Sequence, residues 1–206
     1  MENRAGATGI IGTSFVANAP ADGYTLLFAV NSSHLISSVL QPRRPFDPLR
    51  DFRPLSMLLY YPLYLLLNND VPARSVAELV ALGKAQPGKL NMGSVGTGSG
   101  GHLAIEMFKN ATGISAVHVP YRGAEPAQIA LMAGEIDFLF NGIGASQALV
   151  DAGKLRAIAV TGRDRSVLPE VPTLKESGYD GFASFGWECS RQQARRSRLR
   201  KSSRLN

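Results

Sequence analysis

Residues 89–113 read KLNMGSVGTGSGGHLAIEMFKNATG, with Gly93, Gly96, Gly98, Gly100 and Gly101 crowded between a strand-like run and a helix-like run. Ser94, Thr97 and Ser99 stand among the glycines, and His102 follows them. Bare backbone lets a ligand approach closely, and a helix start offers unpaired N–H groups and the positive end of the helix dipole. Three readings fit. The first is a small anion such as a carboxylate, held by these N–H groups and by the hydroxyls of Ser94, Thr97 and Ser99. The second is a dinucleotide, because Gly96, Gly98 and Gly101 satisfy G-x-G-x-x-G between a strand and a helix. The following strand ends VHVPYR, without the acid that would hold a ribose, but Arg122 suits a 2′-phosphate, so that cofactor would be NADP. The third is a tight strand-to-helix turn with no ligand.

Covalent or metal chemistry finds less in the sequence. No G-x-S-x-G elbow surrounds Ser94 or Ser99, the single cysteine is Cys189, and His34, His102 and His118 lack paired metal-ligand spacing. The expectation is a binding protein with no catalytic residue, no metal and no cofactor. Around the glycine loop, His102 either leans toward a ligand or packs on its own helix. Tyr121 and Arg122 follow a strand end and either line a cleft or lie in solvent. Asn141, at another strand end, is expected as a polar contact, Asp137 as a structural hydrogen-bonding group, and His118 as a strand residue with a satisfied ring.

The elements that position these residues are legible as alternating apolar strands and helices. Residues 10–19 read as a helix and residues 21–30 as a buried strand after an Asp-Gly turn. Residues 54–68 read as two strands broken near Tyr61 and Pro62. Ser75 and Glu78 have capping-box spacing for a helix that Pro87 and Gly88 stop. Strands over 89–95, 116–119, 136–140 and 155–161 then alternate with helices over 100–111, 124–133 and 145–151, which predicts a parallel sheet covered on both faces. A short helix, a glycine turn and a last strand close the series. In such sheets ligands lie beyond the carboxyl ends of the strands, and the loops NSSH, GSVGTGSGGH, PYRGAEP and NGIGAS each follow a strand.

Charge bounds the partners. The formal net charge is +6, yet 15 basic and 16 acidic residues precede Cys189, and all of the excess lies in the seven basic residues of the stretch CSRQQARRSRLRKSSRLN. A neutral body argues against a nucleic-acid-binding protein. The longest apolar run, residues 55–67, is interrupted by Pro62 and is shorter than the roughly 20 residues of a spanning helix.

A colinear set of motifs carries a resemblance. ENRAGATGIIGT, PADGYTLLF, PFDPLRDFRPLS, LNMGSVGTGSGGHLAIEMFKNATG, VHVPYRGAEPA, GEIDFLFN, AGKLRAIAVTGRDRS and LPEVPTLKESGY together resemble the Bug-type substrate-binding proteins of tripartite tricarboxylate transporters. The resemblance implies an α/β, type II periplasmic-binding-protein-like fold, two α/β lobes around a ligand cleft. It implies a periplasmic receptor that closes on a small carboxylated solute and hands it to membrane transporter subunits, acting as a monomer. Carried onto this chain, Asn31, Ser32, Ser33 and His34 would serve the first lobe. Ser94, Gly96, Gly98, Ser99 and Gly100 would hold a carboxylate in the second, with His102, Tyr121 and Asn141 beside them. The expected divisions are residues 1–68 as a partial first lobe, 69–163 as the second, 164–188 as a return segment and 189–206 as a basic tail.

Two departures from the family pattern are expected to matter. Met1 falls where relatives end their second strand, so the first lobe is expected to be incomplete and without its export signal. After Trp187 the family pattern would continue GLLAPAGTP. Codons chosen for residues 187 onward, when read two bases later, can give Gly-Met-Leu-Ala-Pro-Ala-Gly-Thr-Pro-Lys-Ser-Ile. A frameshift near Gly186 or Trp187, leaving an unstructured tail from Cys189, is the corresponding expectation.

Overall fold

The computed structural model describes residues 2–4, 6, 9–30, 34–35, 45–182 and 185–193. Two sheets organise them. The first is antiparallel and contains β1 (Leu26–Val30), β2 (Phe52–Tyr61) and β8 (Phe185–Gln192) in the order β1-β8-β2. Helix α1 (Ile10–Ala17) covers one face of it, with Ile10, Val16 and Ala17 packed on Leu27, Ala29, Phe46 and Phe52.

The second sheet has five strands. They are β3 (Leu63–Leu67), β4 (Leu90–Ser94), β5 (Ala116–Pro120), β6 (Phe138–Gly142) and β7 (Arg156–Val160), in the order β5-β4-β6-β3-β7. Strand β4 runs parallel to β5 and β6, while β3 lies antiparallel between β6 and β7. The four strands of the alternating series run parallel to one another, as expected, and a strand from before that series is inserted antiparallel between β6 and β7. Its sequence explains the place. All five residues of LYLLL are buried, as a central strand with both faces covered requires.

Side-chain alternation in β3 splits the core in two. Leu63, Leu65 and Leu67 join Met92, Phe138 and Phe140 beneath α2 (Val76–Ala85) and α3 (Gly100–Thr112), where Leu79, Ile105 and Phe108 are fully buried. Tyr64 and Leu66 join Leu139 on the opposite face, under Ala127 and Leu131 of α4 (Ala124–Ala133). Burying each such large apolar side chain stabilises the fold by roughly 1.5–3 kcal/mol. Helix α2 starts as its spacing predicts: Ser75 Oγ accepts the Glu78 amide at 3.2 Å, and Glu78 Oε2 accepts the Arg74 amide at 2.7 Å. The loop before it is held by Arg156, whose guanidinium donates to the carbonyls of Asn69, Val71 and Ala73. Asp137 accepts the Asn91 amide at 2.6 Å, the structural role expected of it.

Two expected divisions change. Hydrogen bonding places β3 in the second sheet, so the sheets divide at Pro62, where proline interrupts the pairing, and not after residue 68. The last strand continues past Trp187, with Leu26 opposite Arg191 and Phe52 opposite Gln192, and Ser190 is buried. Residues 189–192 are thus strand and not tail. Their ladder needs only amides and carbonyls, which any non-proline residue supplies. Residues 194–206 lie outside the described residues. The short helix expected before the last strand is a set of turns around residues 174–178, tied to β7 by a bridge between Val160 and Thr173.

Candidate functional site

The carboxyl ends of β4 and β6 and the starts of α3 and of α5 (Ile143–Asp151) meet at one edge of the five-stranded sheet. Strand β4 ends at Ser94, which is fully buried. The chain then turns through Gly96 (φ 134°) and Gly98 (φ 81°), conformations that glycine adopts without the strain a side chain would meet. Ser99 caps α3, its Oγ accepting the His102 amide at 3.2 Å. The amides of Gly100 and Gly101 in the same turn are left without intrahelical partners, as at any helix start. A Cβ on Gly101 would lie 2.6 Å from the carbonyl oxygen of Phe140, so only glycine lets the helix start sit this close to β6.

Internal hydrogen bonds hold the loop in shape. Ser94 Oγ accepts the Gly96 amide at 3.2 Å and lies 2.7 Å from His118 Nε2. The Gly98 amide donates to His102 Nδ1 at 3.1 Å. The two imidazoles stack, with centroids 4.1 Å apart and planes 11° from parallel. His102 Nε2 lies 4.0 Å from Glu106 Oε1, and Glu106 pairs with Lys109 at 3.0 Å. Burial lowers the His118 pKa below its ordinary value, the His102 ring and Lys109 lower it further, and Glu106 opposes them. The Ser94–His118 contact has the distance of a nucleophile and its base, but this hydroxyl is buried and engaged with both the amide and the carbonyl of Gly96.

Ser94, Gly96, Gly98, Ser99, Gly100 and His102 are therefore brought together, with His102 holding the loop. Tyr121 joins them through its backbone, its amide donating to the Ser94 carbonyl at 2.9 Å. Its ring packs on the apolar side of the sheet, where burial, then Glu135, pushes the phenol pKa up. Asn141 lies at the end of β6, next to the carbonyl that meets Gly101. Its Oδ1 accepts the Gly142 amide, while Nδ2 is buried without a hydrogen-bond partner among the described residues. His34 sits apart, buried in the first sheet's core with its ring edge-on to Phe52 at 4.6 Å. Asn31, Ser32 and Ser33 lie outside the described residues. Arg122 is exposed.

Tyr61 was not expected at this edge. It ends β2 in the first sheet, yet its ring lies against Gly142 of the second, 3.3 Å from where a Cβ would stand. Burial raises the Tyr61 pKa. The break at Tyr61 and Pro62 in an otherwise apolar run is the sequence signal for this crossing point. Elsewhere, a depression of about 450 Å³ is lined by Arg163, Asp164, Arg165, Thr173, Lys175 and Glu176. Its Arg165 and Glu176 are already paired with each other at 3.1 Å. Among the described residues no cluster of metal-ligating side chains occurs, and no helix is long and apolar enough to cross a membrane.

Comparison with known proteins decides the family. The sequence model of the tripartite tricarboxylate transporter family receptor matches residues 1–189. This chain belongs to that family. It is 38% identical over 189 residues to protein BugT of Bordetella pertussis, covering 91% of this chain and 58% of that protein. It is 37% identical over 190 residues to the UPF0065 protein of the tcbD-tcbE intergenic region of Pseudomonas sp. strain P51, covering 91% and 56%. The chain thus spans a little over half the length of these curated relatives. Among solved structures it is similar to R. palustris Rpa4515 with adipate, at a TM-score of 0.89 and 32% identity over 94% of this chain and 65% of that one. It is likewise similar to MatC from Rhodopseudomonas palustris with bound malate, at 0.85 and 27% over 94% and 66%. Its fold is the α/β, two-lobed periplasmic-binding-protein fold shared with BugD.

Proposed function

We propose that this chain is a solute-receptor module that captures a small carboxylate, of the di- or tricarboxylate class, at the carboxyl edge of the five-stranded sheet and performs no chemistry on it. The observation that carries the reading is the meeting of two unsatisfied groups at one edge. The first turn of α3 leaves the amides of Gly100 and Gly101 without intrahelical partners, and at the end of the neighbouring strand β6 the Nδ2 of Asn141 is buried without a hydrogen-bond partner among the described residues. Amides at a helix start and a side-chain amide donor together suit a carboxylate, whose oxygens only accept. Related receptors hold adipate and malate, which supports the same ligand class here. By the same kinship the receptor works in the periplasm, as a monomer without a cofactor, and delivers its solute to the membrane subunits of a tripartite tricarboxylate transporter. The dinucleotide alternative is served less well, because β5 ends without the acid that would hold a ribose.

Thermal unfolding with adipate, malate, succinate, citrate or NADP tests the proposal. A ligand at about 100 times its Kd adds roughly 2.7 kcal/mol to the native state. A melt raised by a carboxylate and not by NADP is the expected result. A melt raised by NADP alone, or by none of the five, contradicts it.

A further inference from the structure

The hydrogen bond between Gly98 and His102 requires a particular protonation state. Because Nδ1 accepts the Gly98 amide, that nitrogen carries no proton and the ring is neutral, with its proton on Nε2 toward Glu106. Protonating the ring would place Nδ1–H against Gly98 N–H across 3.1 Å, two donors with nothing between them to accept. A carboxylate oxygen placed there would accept from both, in charge-assisted hydrogen bonds.

We propose that His102 is a proton-linked positioning residue. Neutral, it occupies the Gly98 amide and keeps the loop closed on itself; protonated, it forms with that amide a donor pair that takes the anion. Ligand binding and proton uptake at His102 then favour each other, as linkage demands of any two coupled equilibria. The inference rests on the carboxylate reading above.

The surroundings limit the proton to one ring. His118 of β5 is stacked on His102, so a second charge there would be repelled at close range. Burial already lowers the His118 pKa. Glu106, facing His102 from its own helix, shares its charge with Lys109. Ser94 of β4 holds His118 in place at 2.7 Å and contributes no charge.

Two measurements test it. In the ligand-free chain, the Gly98 amide and the His102 ring are followed by NMR from about pH 8 to about pH 5. The proposal expects the Gly98 resonance to move with the midpoint of the His102 ring, and to stay fixed in His102→Gln, whose side-chain oxygen keeps an acceptor near the amide without titrating. Calorimetry with adipate and with malate forms the second arm. Wild type is expected to bind about fivefold to tenfold more tightly at about pH 5.5 than at about pH 7.5, with proton uptake, and His102→Gln is expected to lose that dependence. Binding with a pH-independent Kd overturns the proton linkage and leaves the carboxylate reading standing. So does a pH dependence that survives in His102→Gln. Absence of binding to any carboxylate at both pH values overturns the two together. A Gly98 amide that ignores the titration of His102 overturns the linkage whatever the ligand does.

Discussion

The two sheets of this chain handle apolar sequence in opposite ways. In the five-stranded sheet β3 is wholly buried, and Phe138, Leu139 and Phe140 of β6 are each fully buried. In the three-stranded sheet β2 shows Leu55, Met57, Leu58, Leu59 and Tyr60 at 39% to 69% exposure. This long edge strand carries two register irregularities, between Pro54 and Ser56 and between Met57 and Leu59, and bulges of this kind twist an edge away from further pairing. The apolar residues of β3 build a core, whereas similar residues in β2 are held mainly by backbone pairing to β8. Close packing is thus concentrated in the sheet whose edge carries the glycine loop.

Paired truncations break this comparison most sharply. Phe138→Ala should cost about 3–5 kcal/mol in denaturant unfolding, the range for a fully buried aromatic. Leu58→Ala, at 53% exposure, should stay within about 0.5 kcal/mol of wild type. Equal costs would show that the first sheet is packed as tightly as the second. Arg156→Ala removes the donors that hold three carbonyls of residues 69–73, and hydrogen bonds of a charged group suggest a loss of about 1.5–3 kcal/mol. Hydrogen exchange should report faster opening in residues 69–75 while β2 is unchanged.

Ser75→Ala removes the cap of α2, with an expected cost of about 1 kcal/mol; a loss below the error of the melt would mean that Glu78 alone secures the helix start. The smallest effect is a pH dependence. The His118 pKa is lowered in the folded chain, chiefly by burial, so the unfolded chain binds the proton more readily. The stability it contributes is complete above about pH 6.5, the ordinary imidazole value, and is lost as pH falls from there through the folded value. Melts of His118→Gln should decline less over that acid range than wild type, and parallel declines would place the titrating group elsewhere.

How much of this was legible depended on where side chains decide structure. Helix α2 was readable because Ser75 and Glu78 have capping-box spacing, and α3 and α4 because they alternate with short apolar strands; in the structure Gly113 and Gly134 end them in positive φ. The insertion of β3 between β6 and β7 was not, since a short apolar run says that a strand is buried and not which strands flank it. The residues ECSRQ carry no strand alternation, yet they form the middle of a sheet by backbone pairing, which leaves no trace in side-chain pattern. At the site, glycine spacing located the loop, and the resemblance supplied its expected use. The pairing of Ser94 with His118 and of Gly98 with His102 joins residues through a fold, and spacing alone does not encode it. Tyr61 was hidden for the same reason, as its neighbour Gly142 lies far along the chain.

The most direct test of the central claim is an amide-resolved NMR titration of the chain with adipate. The carboxylate reading predicts saturable shifts centred on the amides of Gly98, Gly100 and Gly101 and on the side-chain amide of Asn141. Shifts confined to the charged depression around Arg163 and Lys175, or no shift at any adipate concentration, would contradict it.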